Sequence, residues 1–585
     1  MKRVRSQTTP VLKTQLPLWR GKFVLLLLLL AFVVLAGRAL HLQVLSHDFL
    51  RNKGEQRYER SLTLPAMRGK ILDRHGKVLA SSVPARAIWA IPEDAKTLPD
   101  ADIAQLAKLL DMTPRQLRTR LEISDNTAAD TKADKNFVYL KRQVAMERAD
   151  AIKQLKLPGI HQQAEQRREY PEGALTAAIL GFTDTEDQGI AGMELAFDSV
   201  LAGQPGSRRV IKDRLGQVIE DVSAGVAAVD GQDVTLSIDA GLQFDAYTAL
   251  RQAMQTHKAA AASAVVLDVQ TGEILAMVSL PTFNPGASST RKGQALRNRA
   301  LLDIFEPGSI MKPFTAALAL DLQRIDPHTR FDTGNGEYRY QGKTISDVSR
   351  NGELDVAGVL RRSSNIGMTM IAQRLSAQEM WGKFTELGFG RAPQTRFPGV
   401  AAGKLRPWER WKPIEQATMA YGYGLSASLL QVAKAYTAFA RQGDMVTLSL
   451  VPKENTRIPI YTPQTAQLMR QMLEAAAGPD GARLAQVQGY RVAGKSGTAR
   501  KIINGQYSKT RYRSSFVGFA PVSNPRIVVA VSLDEPQGNY LGGRVAAPVF
   551  SDIVANSLRR LHVQPDAGVQ DLLAASSLTP PGRAR

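Results

Sequence analysis

The chain has 585 residues, enough for two or three domains, and carries a formal charge of +21 at pH 7. It contains no cysteine, which excludes a disulfide framework and a thiol nucleophile, and its seven histidines lack HxH or HExxH spacing, which argues against a metal site. A basic surface points to an anionic partner, and an apolar amino-terminal segment without nucleic-acid motifs turns that expectation to the membrane and away from nucleic acid.

Residues 1–22 hold six basic residues and no acid, and residues 23–37 are uncharged and apolar. A hydrocarbon core of ~30 Å takes about 20 helical residues. The predicted span therefore continues past Arg38, which snorkels to the interface, as far as Leu45. The prediction is a cytoplasmic basic tail over 1–22 and a signal anchor over 23–45, with the charge bias placing the rest of the chain outside. The competing reading is a cleaved signal peptide ending in Val34-Leu35-Ala36, before Gly37.

Residues 46–225 mix short strand patterns with helical ones such as 146–155, and are expected to form an elongated, non-catalytic pedestal. Its residues 113–135 are polar, helix and loop without a clear core face. A catalytic domain over 230–562 is predicted to open with a strand at 233–238 and an amphipathic helix over 240–257. Strands at 264–269 and 272–278 follow, joined by a turn at Gln270-Thr271-Gly272. Helices are predicted over 429–440 and 463–477, then a strand through Lys495, a charged loop at 499–505, and strands at 515–520 and 526–533. Strands flanking a helical middle imply an α+β fold, an antiparallel sheet packed with helices. Residues 563–585 read as a disordered tail, and no internal repeat is present.

Three strings in this domain carry chemistry: Ser309-Ile310-Met311-Lys312, Ser363-Ser364-Asn365 and Lys495-Ser496-Gly497-Thr498. Read as SxxK, SxN and K[ST]G, they supply a nucleophile, a base, a proton relay and an anion-binding strand for acyl transfer through a serine ester. Singly they are weak, since about one chance match to SxxK and to SxN is expected at this length. Ser289-Thr290-Arg291-Lys292 and Ser349-Arg350-Asn351 are such matches, the former in a stretch rich in Pro, Gly and Ser. Ser309 instead opens an apolar, alanine-rich helix whose Pro313 falls in the first turn, with Lys312 one turn on. Buried beside a second cation, Lys495, that lysine would lose enough basicity to take the serine proton. Gly497 would let a substrate backbone approach the strand.

With these motifs the chain resembles the class B penicillin-binding proteins, peptidoglycan D,D-transpeptidases, and within them the FtsI division type. Arg68-Gly69-Lys70-Ile71-Leu72-Asp73-Arg74 resembles the block that opens the family's pedestal, of the dimerisation type. Arg168-Glu169-Tyr170-Pro171 resembles its second block, as do Gly181-Phe182-Thr183 and the later Gly189, Gly192, Glu194 and Phe197. The resemblance implies the penicilloyl-serine transferase fold and roles for eight residues. Ser309 would attack the D-Ala-D-Ala carbonyl, and Lys312 would take its proton. Ser363 would relay a proton to the leaving D-alanine, and Asn365 would orient the substrate amide. Lys495 would tune the field, while Ser496 and Thr498, flanking Gly497, would hold the terminal carboxylate. The backbone N–H groups of Ser309 and Thr498 would form the oxyanion hole.

The implied partners are stem peptides on lipid II-derived glycan, β-lactams, the membrane, an FtsW-type glycan polymerase and other divisome proteins, with no cofactor. The implied location is the inner membrane at the division septum, with a cytoplasmic amino terminus and a periplasmic catalytic domain. Three alternatives share the motifs: an elongation-type transpeptidase, a serine β-lactamase, and a non-catalytic penicillin-binding scaffold.

Overall fold

The computed structural model describes residues 18–45, 59–123, 137–212, 218–221, 225–453 and 456–568. Its contacts divide the chain into two units, each made of two separated stretches. One unit joins Met1–Ala66 to Gln204–Val229, and the other joins Met67–Gly203 to Asp230–Arg585.

The first unit contains helix Leu18–Leu40, continued by a short π-helical turn, His41–Leu45. At 1.5 Å per residue the 23-residue helix is about 35 Å long, which suits a single-pass membrane anchor. It starts inside the segment assigned above to the tail, because Trp19, Arg20 and Lys22 are compatible with a helix end at the membrane interface. The unit also holds a three-stranded antiparallel sheet in which Gly206–Lys212 lies between Glu59–Leu64 and Val218–Asp221.

In the second unit, five antiparallel strands form the main sheet, in the order Ile274–Leu280, Ala261–Asp268, Ile527–Asp534, Gln506–Ala520, Ala493–Ile503. Alternate side chains enter two different cores, as the period of a strand requires. Val265, Leu267, Val528 and Ala530 face one core with Phe314, Tyr436 and Phe439 from the helices Lys312–Asp321 and Leu429–Ala440. Val266, Val529 and Val531 face the other with Leu250, Phe550 and Ile553 from the helices Ala240–Thr256 and Gly542–Arg560. Burial on both faces is why these strands read as unbroken apolar runs.

The Met67–Gly203 part has its own five-stranded sheet, built around the long strand Val78–Ala90. The strand expected to open the catalytic domain at 233–238 belongs here instead. Only Val234–Thr235 is strand, and it runs parallel to Ile71–Leu72. Helix Pro114–Ile123 does have a core face, Leu117 and Leu121, one turn apart; two leucines are too few to stand out in a polar stretch. Thr113 and Gln116 cap that helix reciprocally, and residues 124–135 lie outside the described ones.

The motif residues Arg68, Arg168 and Glu194 meet in a buried ionic group. Arg68 Nε donates to Glu194 Oε2 at 2.8 Å, Arg168 Nε donates to Glu194 Oε1 at 2.7 Å, and Arg68 Nη1 reaches Asp198 at 2.7 Å. At the other end of the chain, the expected tail begins too early. Asp566 accepts hydrogen bonds from Arg491 N (2.7 Å) and Ser523 N (3.0 Å), so residues 563–568 are docked, while 569–585 lie outside the described residues.

Candidate active site

Ser309 sits in a short 3₁₀ turn, Gly308–Met311, that runs into helix Lys312–Asp321. Three neighbours pin the turn. Gly308 N donates to Gly422 O at 3.0 Å, Tyr436 OH donates to Ile310 O at 2.8 Å, and Gly497 packs directly on Ile310 and Pro307. A Cβ on Gly422 (φ +87°) would fall 2.1 Å from Gly308 O; one on Gly497 would fall 2.9 Å from Ile310 Cγ2 and 3.1 Å from Pro307 O. The glycine at 497 therefore also serves the turn that carries Ser309, which fills the room that the missing side chain leaves.

Lys312 is fully buried, and its ammonium donates to Ser363 O and, at 3.1 Å, to Ser363 Oγ, not to Ser309. Lys495, 2% exposed, donates to the same Ser363 Oγ at 3.0 Å and to Ser496 O at 3.2 Å. One hydroxyl oxygen thus joins the three strings. Ser363 reaches it with φ +55°, a left-handed conformation that few non-glycine residues adopt and that recurs at functional sites. Burial pushes Lys312 well below the ordinary amine range; the charge of Lys495 adds to the shift and Asp347 opposes it. Burial alone pushes Lys495 down to about 8.

Lys495, Ser496, Gly497 and Thr498 lie on strand Ala493–Ile503, the edge of the main sheet, opposite Val517, Phe516, Ser515 and Ser514. Its outer side offers unpaired backbone groups to an extended peptide. Ser496 and Thr498 are partly exposed. Thr498 Oγ1 accepts from Gly542 N at 2.9 Å, which leaves its proton to give outward. Asn365 opens helix Asn365–Ala372, which Ser364 caps, and its Nδ2 donates to Ser346 O at 3.0 Å. Ser289 stands in a 3₁₀ turn with no buried residue, and Asn351 folds back on Ser349 O at 3.0 Å, so neither chance match joins the cluster.

Two carboxylates escaped the sequence reading. Asp347 accepts from Ser364 Oγ (2.5 Å), Asn365 N (2.5 Å) and Ile366 N (3.1 Å), fixing the SxN turn. Nothing local marks it, since its partners lie 17 to 19 residues on. Glu306 Oε1 accepts from Gly424 N (2.7 Å) and Tyr507 OH (3.1 Å), and burial raises its carboxyl above the usual carboxylate range. Tyr507 meets Tyr423 edge-on at 5.6 Å, giving the site an aromatic wall. It lies two residues past the charged loop expected at 499–505, a segment that is in fact part of a hairpin pairing Ile502 with Tyr507 and Ile503 with Gln506. The signal was present: Asn504-Gly505, at φ +52° and +79°, is a favoured hairpin turn.

Taken together, a buried amine of low basicity, a second cation, a bridging hydroxyl and an open strand edge equip the site to transfer an acyl group through Ser309.

A model of the penicillin-binding protein transpeptidase domain matches residues 262–555, and one of the penicillin-binding protein dimerisation domain matches residues 63–236. The chain is 39% identical over 570 residues to a probable peptidoglycan D,D-transpeptidase PenA of Neisseria gonorrhoeae, covering 96% of this chain and 95% of the relative. It is 39% identical over 559 residues to the peptidoglycan D,D-transpeptidase FtsI of Escherichia coli K12, covering 94% and 93%. Among solved structures, the transpeptidase domain of Burkholderia pseudomallei penicillin-binding protein 3 is 49% identical, covers 57% of this chain and 98% of its own, and superposes with a TM-score of 0.53.

Proposed function

The chain belongs to the class B penicillin-binding proteins, and from that premise we propose how its residues carry out the cross-linking reaction. It is a serine-type peptidoglycan D,D-transpeptidase of the division type, working through an acyl-serine ester and inhibited by β-lactams. The observation that carries the assignment of residues is the meeting of Lys312, Lys495 and Ser363 at one hydroxyl oxygen.

A neutral Lys312 takes the proton of Ser309 as its oxygen attacks the D-Ala-D-Ala carbonyl. Ser309 N and Thr498 N hold the developing oxyanion. Ser363 Oγ accepts from both amines, so its own proton is left to pass to the nitrogen of the departing D-alanine while Lys312 hands Ser363 the proton it took from Ser309. Asn365 orients the donor amide, and Lys495, Ser496 and Thr498 hold the terminal carboxylate beside the strand edge, the backbone at Gly497 lying between them. An amine from a second stem peptide then displaces Ser309 from the ester. Asp347 is occupied by three donors, and Glu306 Oε2 is closed off from solvent. Neither is placed to activate water, which favours a long-lived ester over β-lactamase turnover.

The module layout is part of the same proposal: a basic tail and anchor through about residue 45, a pedestal, and a transpeptidase module ending near 568. The amino terminus lies in the cytoplasm and the catalytic module in the periplasm at the septum. The anchor and pedestal meet an FtsW-type polymerase and other divisome proteins.

The test is to treat the full-length protein with a labelled penicillin and map the adduct by peptide mass spectrometry. A persistent acyl group on Ser309, absent from Ser309→Ala, is the expected result. An adduct on Ser289, or rapid turnover of the drug, would overturn the assignment. Uniform side-wall label of a fluorescent fusion throughout the cell cycle would replace the septal placement with the elongation one.

A further inference from the structure

Helix Leu429–Ala440 holds the Ser309 turn through Tyr436, and residues two apart on a helix face different ways. Lys434, two positions earlier, lines a separate cavity of about 440 Å³. The residue is partly buried, and among the described residues its ammonium makes no ion pair or hydrogen bond. Burial alone lowers its basicity. Arg391 lines the same cavity from an exposed position, also without an ion pair among the described residues. Glu386 is the one carboxylate in the lining, and Lys383 engages it at 2.7 Å. The carbonyls of Gly388 and Arg391 already accept from Gln431 Nε2, each at 3.0 Å. Gly388 leaves the approach to the amine open; even a Cβ there would stand 3.8 Å from Lys434 Nζ.

A partly buried lysine without a counter-charge loses some hydration, and an arriving anion offsets that loss. Two cations line a cavity of ligand size, one a compact point charge on a partly buried side chain and one a planar fork on an exposed one. We propose that this cavity binds a small oxyanion ligand, a phosphate or carboxylate group, with Lys434 at its inner end and Arg391 at its rim. The site goes beyond the transpeptidase reading and does not depend on the catalytic roles given above. Its occupant would bear on the same helix that fixes Ile310 beside Ser309.

The experiment uses the full-length protein in detergent at constant ionic strength. Thermal unfolding is followed against inorganic phosphate in one series and succinate in another. The expected result is a saturable rise in Tm with at least one probe, and which probe acts identifies the group bound. In Lys434→Met the half-saturating concentration should rise at least about tenfold, the weight of one charge-assisted hydrogen bond. Exposed Arg391→Gln should weaken the response similarly, so a folding failure of the buried variant leaves the test intact. Surface Lys292→Gln should respond as the parent does. Failure of both probes to saturate, or equal responses from parent, Lys434→Met and Arg391→Gln, would overturn the site and leave general screening of a chain of charge +21.

Discussion

Lys312 and Lys495 owe their low basicity to burial, and their protonation sets opposite limits on the reaction. In the proposed mechanism Lys312 must be neutral to accept a proton, whereas Lys495 must be charged to hold a carboxylate. Acylation of Ser309 by a penicillin should therefore rise with pH as Lys312 deprotonates, then fall as pH passes about 8, where Lys495 loses its charge. Stopped-flow acylation rates across pH would show the bell shape; a rate flat through pH 8 to 9 would contradict it. The same shift has a stability consequence. Since folding lowers the Lys495 pKa, the unfolded chain binds more protons between about 8 and its unfolded value of ~10.4, and stability rises with pH through that window. Lys495→Met should raise Tm at pH 7, with the gain shrinking towards pH 10, while cutting acylation at least about a hundredfold. Asp347→Asn leaves an amide where three donors converge. It should slow acylation about tenfold and lower stability by about 1–3 kcal/mol, measured by labelled penicillin and urea titration. These residues show where sequence stops being informative. SxxK, SxN and K[ST]G announce the participants, but Lys312 turning to Ser363 depends on one left-handed backbone angle, and Asp347 on a loop returning from outside any motif.

At the level of elements, the turn carrying Ser309 is held by close backbone approaches that only glycine permits. Gly497→Ala would press on Ile310 Cγ2, a side chain with some freedom, whereas Gly422→Ala would press on a backbone oxygen and hold a side chain at φ +87°. Gly422→Ala should therefore be the more damaging to penicillin acylation, and circular dichroism should show both variants folded. Equal, parental rates would mean that the turn tolerates displacement. Element types were largely readable from sequence: the helices 429–440 and 463–477, and the hairpin ahead of Ser309, follow from periodicity and caps. Pairing partners were not, since Val234–Thr235 joins a strand some 160 residues earlier through contacts that no local pattern encodes.

For the molecule as a whole, each contact unit is made of two separated stretches of chain, a division that no local change in composition marks. The buried group of Arg68, Arg168 and Glu194 ties distant segments of the second unit together. Glu194→Gln would leave two buried guanidinium groups without their shared charge and should cost about 3–5 kcal/mol in chemical denaturation, with no change in the pH profile of acylation in the folded fraction. The order of the main sheet carries a consequence in time. Ala261–Asp268 pairs with Ile527–Asp534, Lys495 reaches Ser363 from late in the chain, and Thr498 is fixed by Gly542. A ribosome adds about 5–20 residues per second, so Ser309 emerges many seconds before the strand that completes its surroundings. On the proposed mechanism, a nascent chain, or one cut short before residue 542, should carry the serine without the means to use it. The cross-linking activity would thereby be withheld until synthesis is nearly over.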